Sequence, residues 1–299
     1  MLHESRSPSG APTGGRLPAT ARLGGVHLTV TDLDRSVAYY QDPLGLRVLR
    51  RGDGVAAMGA GDEELVVLYE QPAARPPGRR AGLYHFALLF PTREELARVT
   101  MRVAAARAPV QGASDHGTHE AVYLPDPDGN GIELAADRPR EQWPDLSGPG
   151  GYALGPAPLD VRALVGTVDG EELPRHADPG LRMGHVHLHV SALDEAERFY
   201  RDGLGFDVMT RMPSAVFVSA GGYHHHVAFN VWRGEGVAPA PEDGVGLRHW
   251  TLVLPDGGDL AAVRERLERL GAGVEPLDGG LLSRDPSGIA VMVVTEEER

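Results

Sequence analysis

The chain contains no cysteine. Disulfides, thiolate metal ligands and cysteine nucleophiles are therefore excluded. Any metal must be held by histidine, aspartate, glutamate or other oxygen donors, a set that suits iron, manganese, zinc and similar ions. Positive charge is in short supply: Lys plus Arg number 29 against 42 Asp plus Glu, a net charge of -13. Nucleic acid and anionic membrane both need a basic face, so neither is expected as a partner. No segment is apolar over the roughly 20 residues that span a bilayer. The opening stretch, MLHESRSPSGAPTGGRLPAT, is rich in Ser, Pro and Gly. It reads as a disordered tail over residues 1–20, not as a signal peptide or anchor. The expectation is a soluble, cytoplasmic protein.

The 299 residues suffice for two domains of ordinary size, and 41% hydrophobic content allows a packed core. A repeat organises them. GGVHLTVTDLDRSVAYYQDPLGLRVL begins at Gly24, and GHVHLHVSALDEAERFYRDGLGFDVM begins at Gly184. Each opens with an alternating strand, continues as an amphipathic helix ending in Leu-Gly-Leu or Leu-Gly-Phe, and enters a second strand. Looser copies begin at Gly82 (GLYHFALLF) and Gly246 (GLRHWTLVL), each finishing near a DPDGNG or DPSG turn. The chain thus reads as four βαβββ units. Two fill a first domain over 21–140 and two a second domain over 181–299. Residues 141–180 form a Pro- and Gly-rich linker with little regular structure.

GGYHHHVAFNVW, from Gly221 to Trp232, sets His224, His225 and His226 side by side in what reads as a strand. Consecutive strand residues face opposite ways, so His224 and His226 are expected on one face and His225 on the other.

The repeats, with GLYHFALL, DPDGNGIELAADRPR, GHVHLHV and GGYHHHVAFN, resemble the vicinal oxygen chelate superfamily, and more narrowly its two-domain catechol-2,3-dioxygenase group. The resemblance covers nearly all of the chain outside the tail and linker. It implies an α+β fold of two half-open barrels, each built from a pair of units around a divalent metal.

In that superfamily a ligand stands early in the first strand of a unit, and a carboxylate stands in the last strand of the second unit of a pair. His85, His185 and His249 each lie five residues before the end of their apolar strand; the same offset in the first unit gives Gly25. Glu133 follows DPDGNGI, whereas the fourth unit has Met292 there. Pairing units two and three completes a set of His85, Glu133 and His185, the two-histidine, one-carboxylate pattern of non-heme ferrous oxygenases. The alternative is a wholly N-terminal site with His27 as the missing ligand. His27, His187, His189, His249 and His119 otherwise read as ordinary polar contacts.

The resemblance further implies Fe(II), with Mn(II) as the alternative, a small aromatic diol and O2 as substrates, and a homo-oligomer. His225 takes the position of the family's acid/base histidine, although Tyr223 and His226 replace its usual neighbours. Tyr123, ten residues before Glu133, falls where a tyrosine contacts substrate oxygen, and His116 falls nearest a further active-site histidine. The implied reaction is extradiol ring cleavage of a catechol. The alternatives are a glyoxalase-like metal-dependent isomerase or lyase, and a drug-sequestering binding protein of the same fold.

Overall fold

A computed structural model of the protein describes residues 15–144 and 156–296. Residues 1–14 of the expected tail lie outside these. Residues 15–20 pack on the body: Leu17 is buried, and its N–H donates to Gly205 O at 2.9 Å.

The four units appear in order. The first is β1 (Arg22–Val30), α1 (Leu33–Gln41), β2 (Arg47–Gly52), β3 (Val55–Ala60) and β4 (Glu63–Glu70). The second is β5 (Gly82–Phe90), α2 (Arg93–Ala105), β6 (Gly112–Asp115), β7 (His119–Pro125) and β8 (Gly131–Asp137). A short β9 (Ala157–Pro158) and α3 (Val161–Val165) follow in the linker. The third unit is β10 (Arg182–His189), α4 (Leu193–Arg198), β11 (Asp207–Arg211), β12 (Ala215–Ser219) and β13 (Val227–Asn230). The fourth is β14 (Gly246–Leu254), α5 (Gly257–Leu270), β15 (Val274–Leu277), β16 (Gly280–Arg284) and β17 (Ala290–Thr295). Helices start where a side chain can accept an otherwise unpaired amide: Asp32 caps α1, Thr92 caps α2 and Asp256 caps α5. No helix among the described residues is long and apolar enough to cross a membrane.

The strands form two sheets, and each takes one unit from either half of the chain. One runs β15-β16-β17-β14-β1-β4-β3-β2, joining units four and one; the other runs β11-β12-β13-β10-β5-β8-β7-β6-β9, joining units three and two. The joins are antiparallel, with His27 opposite His249 in the first and His85 opposite His187 in the second.

Units adjacent in sequence are held together differently, through their helices. Arg102 of α2 donates to Leu44 O, and Arg266 of α5 donates to Leu204 O. Tyr40 donates to Asp126 of the DPDGNG turn, and Tyr200 donates to Asp285 of the DPSG turn. This explains the repeated Leu-Gly signature. Gly45 (φ 77°) and Gly205 (φ 100°) are left-handed, and a Cβ would meet Ala177 N at 2.8 Å and Arg266 Nη2 at 2.7 Å, respectively.

Two local expectations need correcting. The linker carries regular structure: β9 pairs with β6, and Leu164 and Val168 around α3 are buried. Its residues 145–155 lie outside the described ones. The histidine run is not strand, because β13 begins only at Val227. Gly221 (φ 61°) and Gly222 (φ 68°) make a left-handed turn that carries Tyr223 to His226 into an irregular approach. The strand alternation assumed for the three histidines therefore does not apply.

Candidate metal centre

β10, β5 and β8 are neighbours, and each contributes one side chain to a single point. Apolar residues of these strands turn to the core: Ile132 and Leu134 in β8, Phe86 and Leu88 in β5, Val186 and Leu188 in β10 are all buried there. Alternation sends Glu133, His85 and His185 to the other face. Ala87 lies between Glu133 and His185 in register, and its methyl leaves room for the larger groups to meet above it. His85 Nε2 is 3.0 Å and His185 Nε2 is 3.1 Å from Glu133 Oε2, and the two nitrogens are 3.3 Å apart.

These separations test whether an ion fits. Donors each about 2.1 Å from a metal are about 3.0 Å apart at right angles and about 3.4 Å apart at tetrahedral angles. The observed 3.0 to 3.3 Å fall within this range, so the three donor atoms are spaced to share one ion, and two histidines with one carboxylate are the donor set of non-heme ferrous oxygenases. The residues fit the metal.

The carboxylate is supported from its other oxygen. His119 Nε2 lies 3.0 Å from Glu133 Oε1, and its Nδ1 is 2.8 Å from Thr118 Oγ1. His119 was expected to be an ordinary polar contact; instead it orients the carboxylate. Its signal in the sequence is the spacing to Tyr123, four residues on and so on the same face of β7. Tyr123 itself lies opposite Glu133 in register, and its hydroxyl is 2.7 Å from His116 Nε2. His116 in turn stacks on His119 at 4.5 Å.

His225 is buried, with its ring centroid 4.1 Å from that of His185. The structure thus gathers His85, Glu133, His185, His225, Tyr123 and His116 around one cavity of about 410 Å³. His224 does not face away as expected. It stacks on His119 at 4.7 Å and its Nε2 is 3.1 Å from Asp137 Oδ1. His187 and His189 share Asn230, at 2.9 and 2.8 Å. Phe217 lines the cavity, with Met212, Tyr84 and Trp232 at its more exposed edge. No arginine is among the described lining residues, and the chain contains no lysine.

Burial works against charge on Glu133, but His185, His119 and His85 overcome it and hold its carboxyl well below the usual range. Burial likewise lowers His225 well below an ordinary imidazole, with His185 and His224 adding to the effect. His116 falls to about 4, first through burial and then through His119. Burial also lowers His185, against the opposing pull of Glu133, which favours the neutral ring that metal ligation requires.

His27 is not among these residues. It lies in the other sheet, stacked on His249 at 3.9 Å and 3.0 Å from the Tyr69 hydroxyl. Met292 occupies the register position there that Glu133 occupies beside β5. Among the described residues, every trio of histidine and carboxylate side chains close enough to share an ion belongs to units two and three.

Comparison with known proteins follows the same lines. The sequence model of the Glyoxalase/Bleomycin resistance protein/Dioxygenase superfamily matches residues 22–134 and 182–293. A Bacillus subtilis protein named catechol-2,3-dioxygenase is 39% identical over 269 residues, 88% of this chain and 93% of its own. A solved Bacillus subtilis structure superposes with a TM-score of 0.65 at 14% identity, covering 92% of this chain and 86% of that one. Glyoxalase I from Zea mays does so with a TM-score of 0.59 at 18% identity, covering 93% and 94%. At these identities the two structural likenesses concern the fold.

Proposed function

The chain belongs to the Glyoxalase/Bleomycin resistance protein/Dioxygenase superfamily, and from that premise we propose that it is an extradiol ring-cleavage dioxygenase. Its substrates are a catechol and O2, and its metal is Fe(II), with Mn(II) the alternative, held by His85, Glu133 and His185. The observation that carries this is the trio's spacing of 3.0 to 3.3 Å beside a cavity lined by His225 and Tyr123. Two histidines with one carboxylate favour an oxygenase over a glyoxalase-like isomerase, and a retained ligand set speaks against a purely sequestering protein. The named Bacillus relative supports the same choice. A cytoplasmic location and a homo-oligomeric state are carried over from the family as part of the proposal.

His85, Glu133 and His185 would hold the metal, which would supply Lewis-acid and redox chemistry to the catechol and dioxygen. The side chains supply the rest. Tyr123, fixed by His116, presents its hydroxyl to a substrate oxygen. His225 presents a ring nitrogen to the substrate and exchanges a proton there. Phe217 packs on a ring face and keeps water from it. No arginine lines the cavity among the described residues, which favours an uncharged substituent on the catechol.

The test is oxygen uptake by protein reloaded anaerobically with Fe(II) and given a panel of catechols, while the yellow ring-fission product is followed. Uptake matched to product supports the proposal. Stoichiometric metal with no uptake on any catechol would turn the assignment toward the isomerase.

A further inference from the structure

The mechanism above uses His225 but not the two groups behind it. Asp137, His224 and His225 form one hydrogen-bonded line: Asp137 Oδ1 is 3.1 Å from His224 Nε2, and His224 Nδ1 is 2.8 Å from His225 Nδ1. Asp137 also accepts from the Tyr223 hydroxyl, at 2.9 and 3.2 Å. We propose that Asp137 and His224 are positioning residues that fix the tautomer of His225, placing its proton on Nδ1 and leaving Nε2 bare toward the cavity. Only the use made of that bare nitrogen rests on the dioxygenase reading.

A carboxylate can only accept, so His224 Nε2 carries the hydrogen that faces Asp137. A neutral imidazole has one donor and one acceptor. His224 Nδ1 is therefore a lone pair, and the contact with His225 Nδ1 requires the hydrogen to sit on His225. The reverse arrangement needs a doubly protonated His224. Its side chain is 1% exposed, and burial holds it down to about 3 against the opposing pull of Asp137. Asp137 is held below the usual carboxylate range despite its burial, and the hydrogen bonds from His224 and Tyr223 need no charge on their donors.

With Nδ1 engaged behind it, Nε2 is the His225 nitrogen left for the cavity. A bare Nε2 accepts a hydrogen bond from a catechol hydroxyl and orients it. The other tautomer would offer a donor and turn the hydroxyl away. The line survives because the turn is pinned elsewhere. His226 Nδ1 accepts the Ala220 N–H at 3.2 Å, and Arg140 donates to Gly222 O at 2.5 Å. The three consecutive histidines thus hold three different positions: His225 in the cavity, His224 behind it and His226 in the turn.

The experiment is ring-nitrogen NMR on full-length protein labelled with ¹⁵N-histidine and loaded with Zn(II), which is diamagnetic, paired with steady-state kinetics of the Fe(II) form. The wild type should show His225 with hydrogen on Nδ1. His224→Phe, which keeps the ring but cannot accept, should shift His225 toward the other tautomer. It should also lower kcat by about 100-fold with KM little changed. The pair His224→Phe/His225→Gln should be no slower than His225→Gln alone, because His224 acts through His225. Asp137→Asn, nearly isosteric, provides a second variant and should mix the tautomers. Hydrogen on Nε2 in the wild type, or an unmoved His225 in both variants, would overturn the assignment. The NMR arm decides this even if no catechol is turned over, so the two proposals fail separately.

Discussion

His119 Nε2 lies 3.0 Å from Oε1 of Glu133, the carboxylate oxygen not shared with His85 and His185. Groups that orient a ligand from outside typically contribute 10–100-fold to metal affinity. His119→Ala is therefore expected to weaken metal binding by about 10–100-fold while leaving the three proposed ligands in place. Titration of metal-free protein with Fe(II) or Zn(II) against a chelator of known affinity measures it. Wild-type affinity in the variant would show that His119 merely fills space.

The two sheets predict opposite outcomes for two similar substitutions. His185→Ala removes a member of the trio and should abolish stoichiometric metal and oxygen uptake. His27→Ala changes a residue hydrogen-bonded to Tyr69 in the other sheet and should keep both. Metal analysis and an oxygen electrode on the two variants decide between a centre built across the halves and one built around His27.

The cavity edge should set substrate preference. Trp232 is 51% exposed, held by its indole N–H to Ser214 Oγ at 3.0 Å, and Tyr84 meets it edge-on at 5.4 Å. Alkyl- and aryl-substituted catechols should exceed carboxylated ones by about tenfold or more in kcat/KM, a difference of about 1.4 kcal/mol. Trp232→Ala should lower kcat/KM for an aryl-substituted catechol and leave unsubstituted catechol little changed. Equal rates on carboxylated catechols would contradict the neutral-substituent assignment.

Acid should loosen the other sheet. Burial is the main cause lowering His27 to about 3 and His249 to about 4, with nearby cations adding to it. A depressed histidine binds fewer protons folded than unfolded, so its contribution is complete above about 6.5 and is lost as pH falls below that. The loss is at most about 1.4 kcal/mol per pH unit for each histidine. Between pH 7.5 and 5.0 the melting temperature of the wild type should fall several degrees further than that of His27→Phe. Parallel curves would show that His27 does not titrate on unfolding.

Much of this was legible in the chain itself. The four βαβββ units follow from hydrophobic alternation, helix caps and the repeated Leu-Gly turns, all local signals. His85, His185 and Glu133 stand out because strand periodicity turns each away from an apolar face, and because Met292 cannot serve as the matching carboxylate. Elimination then favours joining units two and three, because Gly25 and Met292 leave each pair of sequence neighbours incomplete, with a site around His27 left as the alternative. The partnership of β5 with β10 pairs residues about 100 positions apart and is a property of the assembled sheet.

What the sequence by itself determined is therefore the unit, its repetition and the small set of residues able to bind a metal. Tertiary structure decided which of them meet. It put His119 behind Glu133 and His27 against Tyr69 and His249. It also broke the expected strand at Gly221 and Gly222, so that His224 could bridge Asp137 and His225 instead of facing away. The physical reason is range. Periodicity fixes the side of an element to which a side chain points, whereas a hydrogen bond between 137 and 224 exists only once the pairing of β10 with β5 and a left-handed turn have brought the atoms to 3.1 Å.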